Sequence, residues 1–510
     1  MSETRKRRRR GTISREAMQA MRSKPPVINP APPGPIGGQY KPLTEHQIKL
    51  IYDTSLRMLS ELGMGDAPPA LVQRALECGA TQNDLGRICY SPSMVEDIID
   101  GACKSFTFHG RDDKYSFEVG GDQVHFGTGG AAVQALDLDS HIYRPSTLQD
   151  LADFTRLADT LPNISWFTRC CVATDVPDIL DLDINTAYCL MRYTQKPVGT
   201  NFTLGEHVDP IVDMFDMIAG GEGKFAEKPF CKAHISPIIS PMRYGEDAFD
   251  VALASIQRGM PINSIIAAMS GATSPATIDG MLAASFAETL AALVMVNIFE
   301  PGFPMIFSNW PFVIDLRTGA FCGGGGEISI LNAGAAQLAN HIGVPSGVAS
   351  SMSDAKAVDA QMGMEKALSS LACGLSGANM VYESSGMMAS LLGASYEAFL
   401  LDNEMLSHVY RMIRGIEVSE ETLAFDTMKN VITGEGHFIG ETQTMEAMER
   451  DYYYPKLGDR LEPTTWAENG AQDAWQRANA EVRQILANHN PCYIDDKTDK
   501  NIRDRLTVLL

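Results

Sequence analysis

The chain has 510 residues, enough for about two to four domains or for one large barrel with additions. Hydrophobic residues make up 45% and charged residues 21%, which supplies ample material for a core. Lys and Arg number 42 against 63 Asp and Glu, a net charge of −21 that repels phosphate backbones and argues against nucleic acid as a partner.

The N-terminal stretch is the exception to that acidity. Arg5-Lys6-Arg7-Arg8-Arg9-Arg10 is followed by Gly11-Thr12-Ile13-Ser14 rather than by an apolar run, so a secretory or twin-arginine signal is not expected. With Pro25-Pro26 and Pro30-Ala31-Pro32-Pro33-Gly34-Pro35 behind it, the segment 1–40 reads as a disordered basic and Pro-rich arm, extended and suited to lying on a partner subunit. A helical N-terminal region is expected over 41–120. His46, Ile48, Leu50, Ile51, Leu56, Met58 and Leu59 recur at near-helical spacing, and Ser91-Pro92 opens a further helix.

From about 121 to 418, short strand-like runs alternate with helix-length amphipathic segments. The runs are Val124–Phe126, Ile164–Cys171, Pro197–Thr203, Phe230–Ser236, Ile262–Met269, Pro304–Trp310, Pro345–Ser351 and Asn379–Ser385. Helices are expected at Leu148–Leu161, Ile184–Tyr193, Asp247–Gln257, Ile278–Ile298, Glu327–His341, Lys356–Ser376 and Tyr396–Arg414. Eight such units predict an α/β fold, a (β/α)8 TIM barrel. A doubly wound open sheet is the alternative, but no GxGxxG or P-loop follows an early strand, and Gly323-Gly324-Gly325-Gly326 has no Lys behind it. The tail 419–510 is helical again, including Asp473 to Asn488, and is expected to cap the barrel.

The longest apolar stretch, Met281 to Phe299, carries Glu288 and Thr289 and reads as a buried helix rather than a membrane span. Ten cysteines without a CxxC spacing point to a reduced, cytoplasmic protein with no structural zinc.

Barrel active sites lie at the carboxyl ends of the strands. That rule nominates Thr168, Arg169, Asn201, His234, Ser270, Asn309, Trp310, Ser350, Ser351 and Glu383 to Ser385. The set has no defensible Ser-His-Asp order, no HExxH and no tight cluster of metal ligands, so no bound metal is expected. It can hold a cation. Phe307, Trp310, Phe312, Tyr382 and Tyr396 supply ring faces, and Asp315, Glu327 and Glu383 supply negative charge, a combination that favours quaternary ammonium groups. The bland alternative is that the rings plug the barrel mouth. Pro311 to Gly326 is long enough to be a lid.

Many segments in one order resemble the trimethylamine methyltransferase superfamily, from about residue 40 to 495. Among them are Phe126-Gly127-Thr128-Gly129-Gly130, Arg144-Pro145-Ser146-Thr147, Gly271-Ala272-Thr273-Ser274-Pro275, Asp315-Leu316-Arg317-Thr318-Gly319, Ser353-Asp354-Ala355-Lys356, Asp402-Asn403-Glu404 and Gly436-His437-Phe438. The resemblance implies a (β/α)8 barrel that passes methyl groups from amines to a corrinoid protein. One departure stands out. Where the trimethylamine enzymes carry pyrrolysine, aligning Gly386-Met387 places Ser390, and a serine cannot activate a tertiary amine as the pyrrolysine imine is proposed to do. The branch without pyrrolysine is known for quaternary amines such as glycine betaine.

The resemblance therefore implies a quaternary-amine methyltransferase, with cobalamin supplied by a partner corrinoid protein and tetrahydrofolate as a less favoured acceptor. Loss of methyl from a quaternary nitrogen releases a neutral amine, so no acid is needed at the leaving group and the protein's work is positioning. Glu383 and Glu327 are expected to bias the field around the ammonium, with Ser390 at the family's catalytic position. Phe307, Trp310, Phe312, Tyr382 and Tyr396 form the expected cage, and His234, Arg169 and Arg317 are candidates for a substrate carboxylate. A homo-oligomer is expected, without membrane or nucleic-acid partners. Competing readings are a barrel lyase or hydrolase acting on a small ammonium compound, and a non-catalytic betaine-binding paralogue.

Overall fold

The computed structural model describes residues 29, 30, 32–434 and 436–510, so the basic run lies outside the described residues. Eight parallel strands form the centre: β1 (His125–Phe126), β2 (Phe167–Thr168), β3 (Val198–Thr200), β4 (Cys231–Ile235), β5 (Ile262–Ile266), β6 (Met305–Asn309), β7 (Ser346–Ala349) and β8 (Met380–Tyr382). Each falls inside one of the expected runs. Neighbours in sequence pair in space, and β8 pairs in parallel with β1. The ring closes between β1 and β2, where Ser165 N donates to Phe126 O at 2.8 Å and Thr128 N to Trp166 O at 3.4 Å. The fold is a (β/α)8 barrel.

One helix follows each strand: α1 (Leu148–Thr160), α2 (Ile179–Tyr193), α3 (Val208–Ala219), α4 (Glu246–Gln257), α5 (Ile278–Phe299), α6 (Gly326–His341), α7 (Ala360–Leu375) and α8 (Tyr396–Arg414). Helix α3 is not among the expected helices. Its Pro210 stands in the first turn, where no intrahelical acceptor awaits the missing N–H, so the proline does not break it. Helix α5 is apolar on every side and almost wholly buried, which a surface helix is not. The N-terminal helices Glu45–Arg57, Pro69–Glu77 and Pro92–Gly101 pack over its outer face. Ser55 Oγ donates to Ala283 O at 2.8 Å, and Arg74 Nε to Ile298 O at 2.7 Å near the helix's carboxyl end. Two hairpins, Thr81–Gln82 with Ile88–Cys89 and Ser105–Phe108 with Phe117–Gly120, interrupt this otherwise helical region.

The described part of the arm runs along the chain's own barrel. Gly34 N donates to Val124 O, Val124 N to Pro35 O, and Gly37 N to Asp122 O, at 2.9, 3.0 and 2.8 Å. The C-terminal helix Ala474–Asn488 packs on α8 and α1. Above the strands' carboxyl ends, Phe312–Ile314 pairs with Met269–Ser270 and with Phe321–Cys322, so the glycine-rich lid candidate is built as a hairpin.

Candidate active site

Four rings meet inside the carboxyl half of the barrel. Tyr382, the last residue of β8, lies 5.0 Å from Trp166, 5.2 Å from Trp310 and 5.6 Å from His234 between ring centroids. Trp310, just past β6, continues the series to Phe312 at 6.2 Å, and Phe312 meets Phe321 of the lid hairpin at 5.0 Å. His234 Nδ1 accepts from Asn263 Nδ2 at 2.8 Å. Burial, reinforced by the positive charges of Lys232 and Arg169, holds the imidazole well below its usual pKa, so it is a neutral ring. The four rings themselves are neutral and buried.

Glu383 follows Tyr382 directly. Its backbone is left-handed, with φ of 61°, a conformation that costs a non-glycine residue about 1 kcal/mol or more. The carboxylate is buried, and neither oxygen has a hydrogen-bond partner among the described residues. Burial pushes its pKa up to about 8, and Lys366 pulls against that. The Gly127–Gly130 run makes room for it. A Cβ on Gly129 would stand 3.1 Å from Glu383 Oε1 and 3.2 Å from the Tyr382 ring, and one on Gly130 would stand 2.6 Å from Glu383 Oε2. Carboxylate and aromatic cluster thus share a wall of glycines.

Other polar atoms near these strand ends are also buried without partners: Trp310 Nε1, both amide atoms of Asn309, and Ser350 Oγ. Buried polar groups are as a rule paired, so a set of orphans at the carboxyl ends of β6, β7 and β8 marks the place of a polar guest. Across the mouth, Arg169 donates from Nε to Asn201 Oδ1 at 2.8 Å, and Asn201 Nδ2 donates to His234 O at 2.8 Å. The terminal guanidinium nitrogens have no partner among the described residues. Burial lowers this arginine's pKa from its ordinary value, with Asp183 opposing.

Gly130→Ala tests the glycine wall. Its φ of 83° strains any side chain, and the added methyl displaces the Glu383 carboxylate. The variant is expected to lose about 1 kcal/mol of stability by thermal unfolding.

The structure brings together Tyr382, Trp310, His234, Phe312, Glu383 and Arg169, and leaves the other candidates elsewhere. Phe307 points out of the barrel onto Phe286 of α5, with centroids 5.4 Å apart. Tyr396 begins α8, stacks on Phe154 of α1 at 4.3 Å and donates to Asp150 Oδ1 at 2.5 Å. Arg144 grips the same carboxylate. Glu327 is exposed in the first turn of α6. Arg317 is exposed and bidentate to Asp315, at 3.0 and 2.7 Å, which holds the Asp315 carboxyl down at about 2. Ser390 lies in a run of three left-handed residues, Ala389 to Leu391. Its Oγ donates to Asp354 Oδ1 at 2.7 Å, and Asp354 also receives Gly323 N and Gly324 N from the lid run. Two residues of the site, Trp166 and Lys232, lie outside both the strand-end nominations and the expected cage. The period-two alternation from His234 reaches Lys232 two residues earlier, on the same face of β4.

A family model described as trimethylamine methyltransferase (MTTB) matches residues 4–507. The chain belongs to this family. The glycine betaine methyltransferase of Desulfitobacterium hafniense strain Y51 is 30% identical over 468 residues, covering 91% of this chain and 96% of that one. The trimethylamine methyltransferase MttB of Methanosarcina thermophila is 31% identical over 460 residues, covering 89% and 94%. Among solved structures, the Methanosarcina barkeri monomethylamine methyltransferase MtmB matches with a TM-score of 0.50 at 13% identity, over 87% of this chain and 92% of that one, which supports the barrel fold. The chain is a methyltransferase of the MTTB family, and the glycine wall, Tyr382 and Glu383 stand at the end of its barrel where the chemistry of such folds resides.

Proposed function

We propose that this methyltransferase demethylates a quaternary amine bearing a carboxylate, glycine betaine or a related betaine, and passes the methyl group to cob(I)alamin carried by a separate corrinoid protein. The observation that carries the reading is the Glu383 carboxylate, buried, unpartnered and set beside the Tyr382 ring. Left alone it prefers its proton, and a cation seated against it supplies the missing countercharge. Rings and carboxylate together suit a quaternary ammonium, which needs charge and surface but offers no hydrogen bond. Arg169, with unspent donors on the opposite rim, suits the carboxylate of a betaine. The curated relative from D. hafniense strain Y51 bears the name glycine betaine methyltransferase, which supports the same class of donor.

In this reading the C–N bond breaks with its electron pair staying on nitrogen, and the departing amine is neutral. The chain's residues hold the cation, point one methyl outward from the cage and keep water from the reacting carbon. The cobalt centre, when presented by its carrier, supplies the nucleophile. The orphaned polar atoms lie at the strands' carboxyl ends, the end of the barrel that such a carrier approaches.

The test is anaerobic methyl transfer to free cob(I)alamin from glycine betaine, proline betaine, carnitine, choline, tetramethylammonium and trimethylamine, followed by the absorbance of methylcobalamin. Turnover of a betaine with silence from trimethylamine is expected, and turnover of trimethylamine alone overturns the reading. Arg169→Met is expected to lower kcat/KM for the betaine about 10- to 100-fold, the worth of a charge-assisted hydrogen bond. Any turnover of carboxylate-free amines should stay within about threefold, because they do not use that contact.

A further inference from the structure

Lys232 enters the barrel from β4 beneath the aromatic cluster. Its ammonium stands 4.8 Å from the centroid of the Tyr382 ring, and its one hydrogen-bond partner among the described residues is Thr168 Oγ1 at 3.2 Å. Gly199 of β3 leaves the space, since a Cβ there would fall 2.7 Å from Lys232 Nζ and 2.5 Å from Thr168 Oγ1. An ammonium has three donors, so two are unspent.

Lys196 shows what a structurally satisfied lysine looks like in the same barrel. It is as deeply buried, and its Nζ donates to the carbonyls of Ala158, Leu161 and Ile164 at 2.7, 2.6 and 2.7 Å. Burial pulls both ammonium groups down to about 7, but only Lys196 has a cradle of acceptors to keep its proton. The groups around Lys232 are Thr168 on β2, Gly199 on β3, Cys231 and His234 on its own strand and Tyr382 on β8. Arg169, past the end of β2, adds positive charge, and Glu383, past the end of β8, is the site's buried acid.

Tyr382 is a wall of the cage proposed for the donor. A quaternary nitrogen and the Lys232 ammonium therefore draw on one ring inside a medium that screens poorly, and they repel. The quaternary nitrogen cannot discharge. The lysine can. We propose that Lys232 is the charge-adjusting residue of this site: an ammonium under Tyr382 while no donor is bound, and a neutral amine once a quaternary cation is seated, its proton released to the buffer. Departure of the methyl group leaves a neutral tertiary amine, and Lys232 then recovers a proton from the buffer, restoring the original charge beneath the ring. The inference rests on the donor being a quaternary cation, as read above, and makes Lys232 a positioning residue that acts through Tyr382.

Calorimetric titration of the enzyme with the donor, near pH 7 and in two buffers of different ionisation enthalpy, counts protons released on binding. Glu383 titrates in the same direction, so the decisive background is Glu383→Gln. That variant is expected still to release a fraction of a proton, and Glu383→Gln combined with Lys232→Met to release none. Lys232→Arg, whose charge is permanent, is expected to bind the donor about tenfold or more weakly from about pH 6 to pH 9. Carbon NMR of the isotopically labelled wild-type enzyme follows Lys232 directly, so a variant that fails to fold does not end the test. Its Cε resonance should titrate near neutrality and move toward the neutral form when donor is added. Donor binding without proton release in Glu383→Gln, an unchanged Cε resonance, or wild-type affinity in Lys232→Arg each overturns the inference while leaving the substrate reading standing. Absence of binding heat with every betaine and quaternary amine overturns the substrate reading itself, and the inference with it.

Discussion

Glu383→Gln is expected to fold, to bind its donor about 30-fold or more weakly, and to lose far less in kcat than in KM, because removing one partner of a desolvated charge pair costs about 2–5 kcal/mol. The split distinguishes mechanisms. A lyase or hydrolase that used Glu383 as its base would lose kcat outright, whereas a methyltransferase that uses it to hold a cation loses binding. The wild-type enzyme should gain kcat/KM as pH rises through about 8, where the carboxyl ionises, and the variant should lack that limb. Stability should move the opposite way. A carboxyl whose folded pKa lies above its unfolded value favours the fold only while protonated, so its contribution fades as pH rises from the unfolded value toward about 8. Chemical denaturation at several pH values should therefore show the Gln variant gaining on the wild type, by on the order of 3 kcal/mol between pH 5 and pH 8. An equal gap at every pH would mean that the carboxyl is not held protonated in the empty site.

The barrel is legible in the sequence because its strands are short apolar runs, bounded by turn residues and repeated between helix-length segments. The strand-end rule reaches Arg169, His234, Trp310 and Glu383 without any contact information, and Tyr382 enters through the search for ring faces. The choice of rings fails where a strand is buried on both sides. Phe307 and Ser308 both lie in β6 and both are buried, one facing α5 and the other facing Asn263 inside the barrel. In a parallel barrel each face is packed, so hydrophobicity does not say which residue looks inward. Lys232 escapes the sequence for the same reason in reverse, since a lysine in mid-strand does not announce a buried ammonium. Tyr396 lies away from the expected cage because it opens a helix rather than closing a strand, and its hydroxyl belongs to the Asp150 and Arg144 network. The room that Gly129 and Gly130 make for Glu383 links residues more than 250 positions apart, and only the closed barrel brings them together.

Lys366→Met is expected to cost about 3–5 kcal/mol of stability in urea denaturation, because it strands a buried carboxylate. Lys366 Nζ donates to Asp402 Oδ2 at 2.8 Å, and both side chains are 1% exposed. Burial pushes the Asp402 carboxyl up, and Lys366 and the Gly386 amide pull it back. The same Oδ2 accepts from Gly386 N at 2.7 Å, so the ion pair fastens the loop that leaves β8 through Glu383. Replacing both partners, Lys366→Met with Asp402→Leu, removes the stranded charge and is expected to recover most of the lost stability. Methyl transfer should not recover with it. Gly386 N would then lack its acceptor, and the left-handed turn at Glu383 would lose the anchor that holds its carboxylate against the glycine wall. Recovery of activity together with stability would assign the pair to the core alone. Stability without activity would show that the loop's fixed geometry, rather than the mere presence of Glu383, is what the reaction requires.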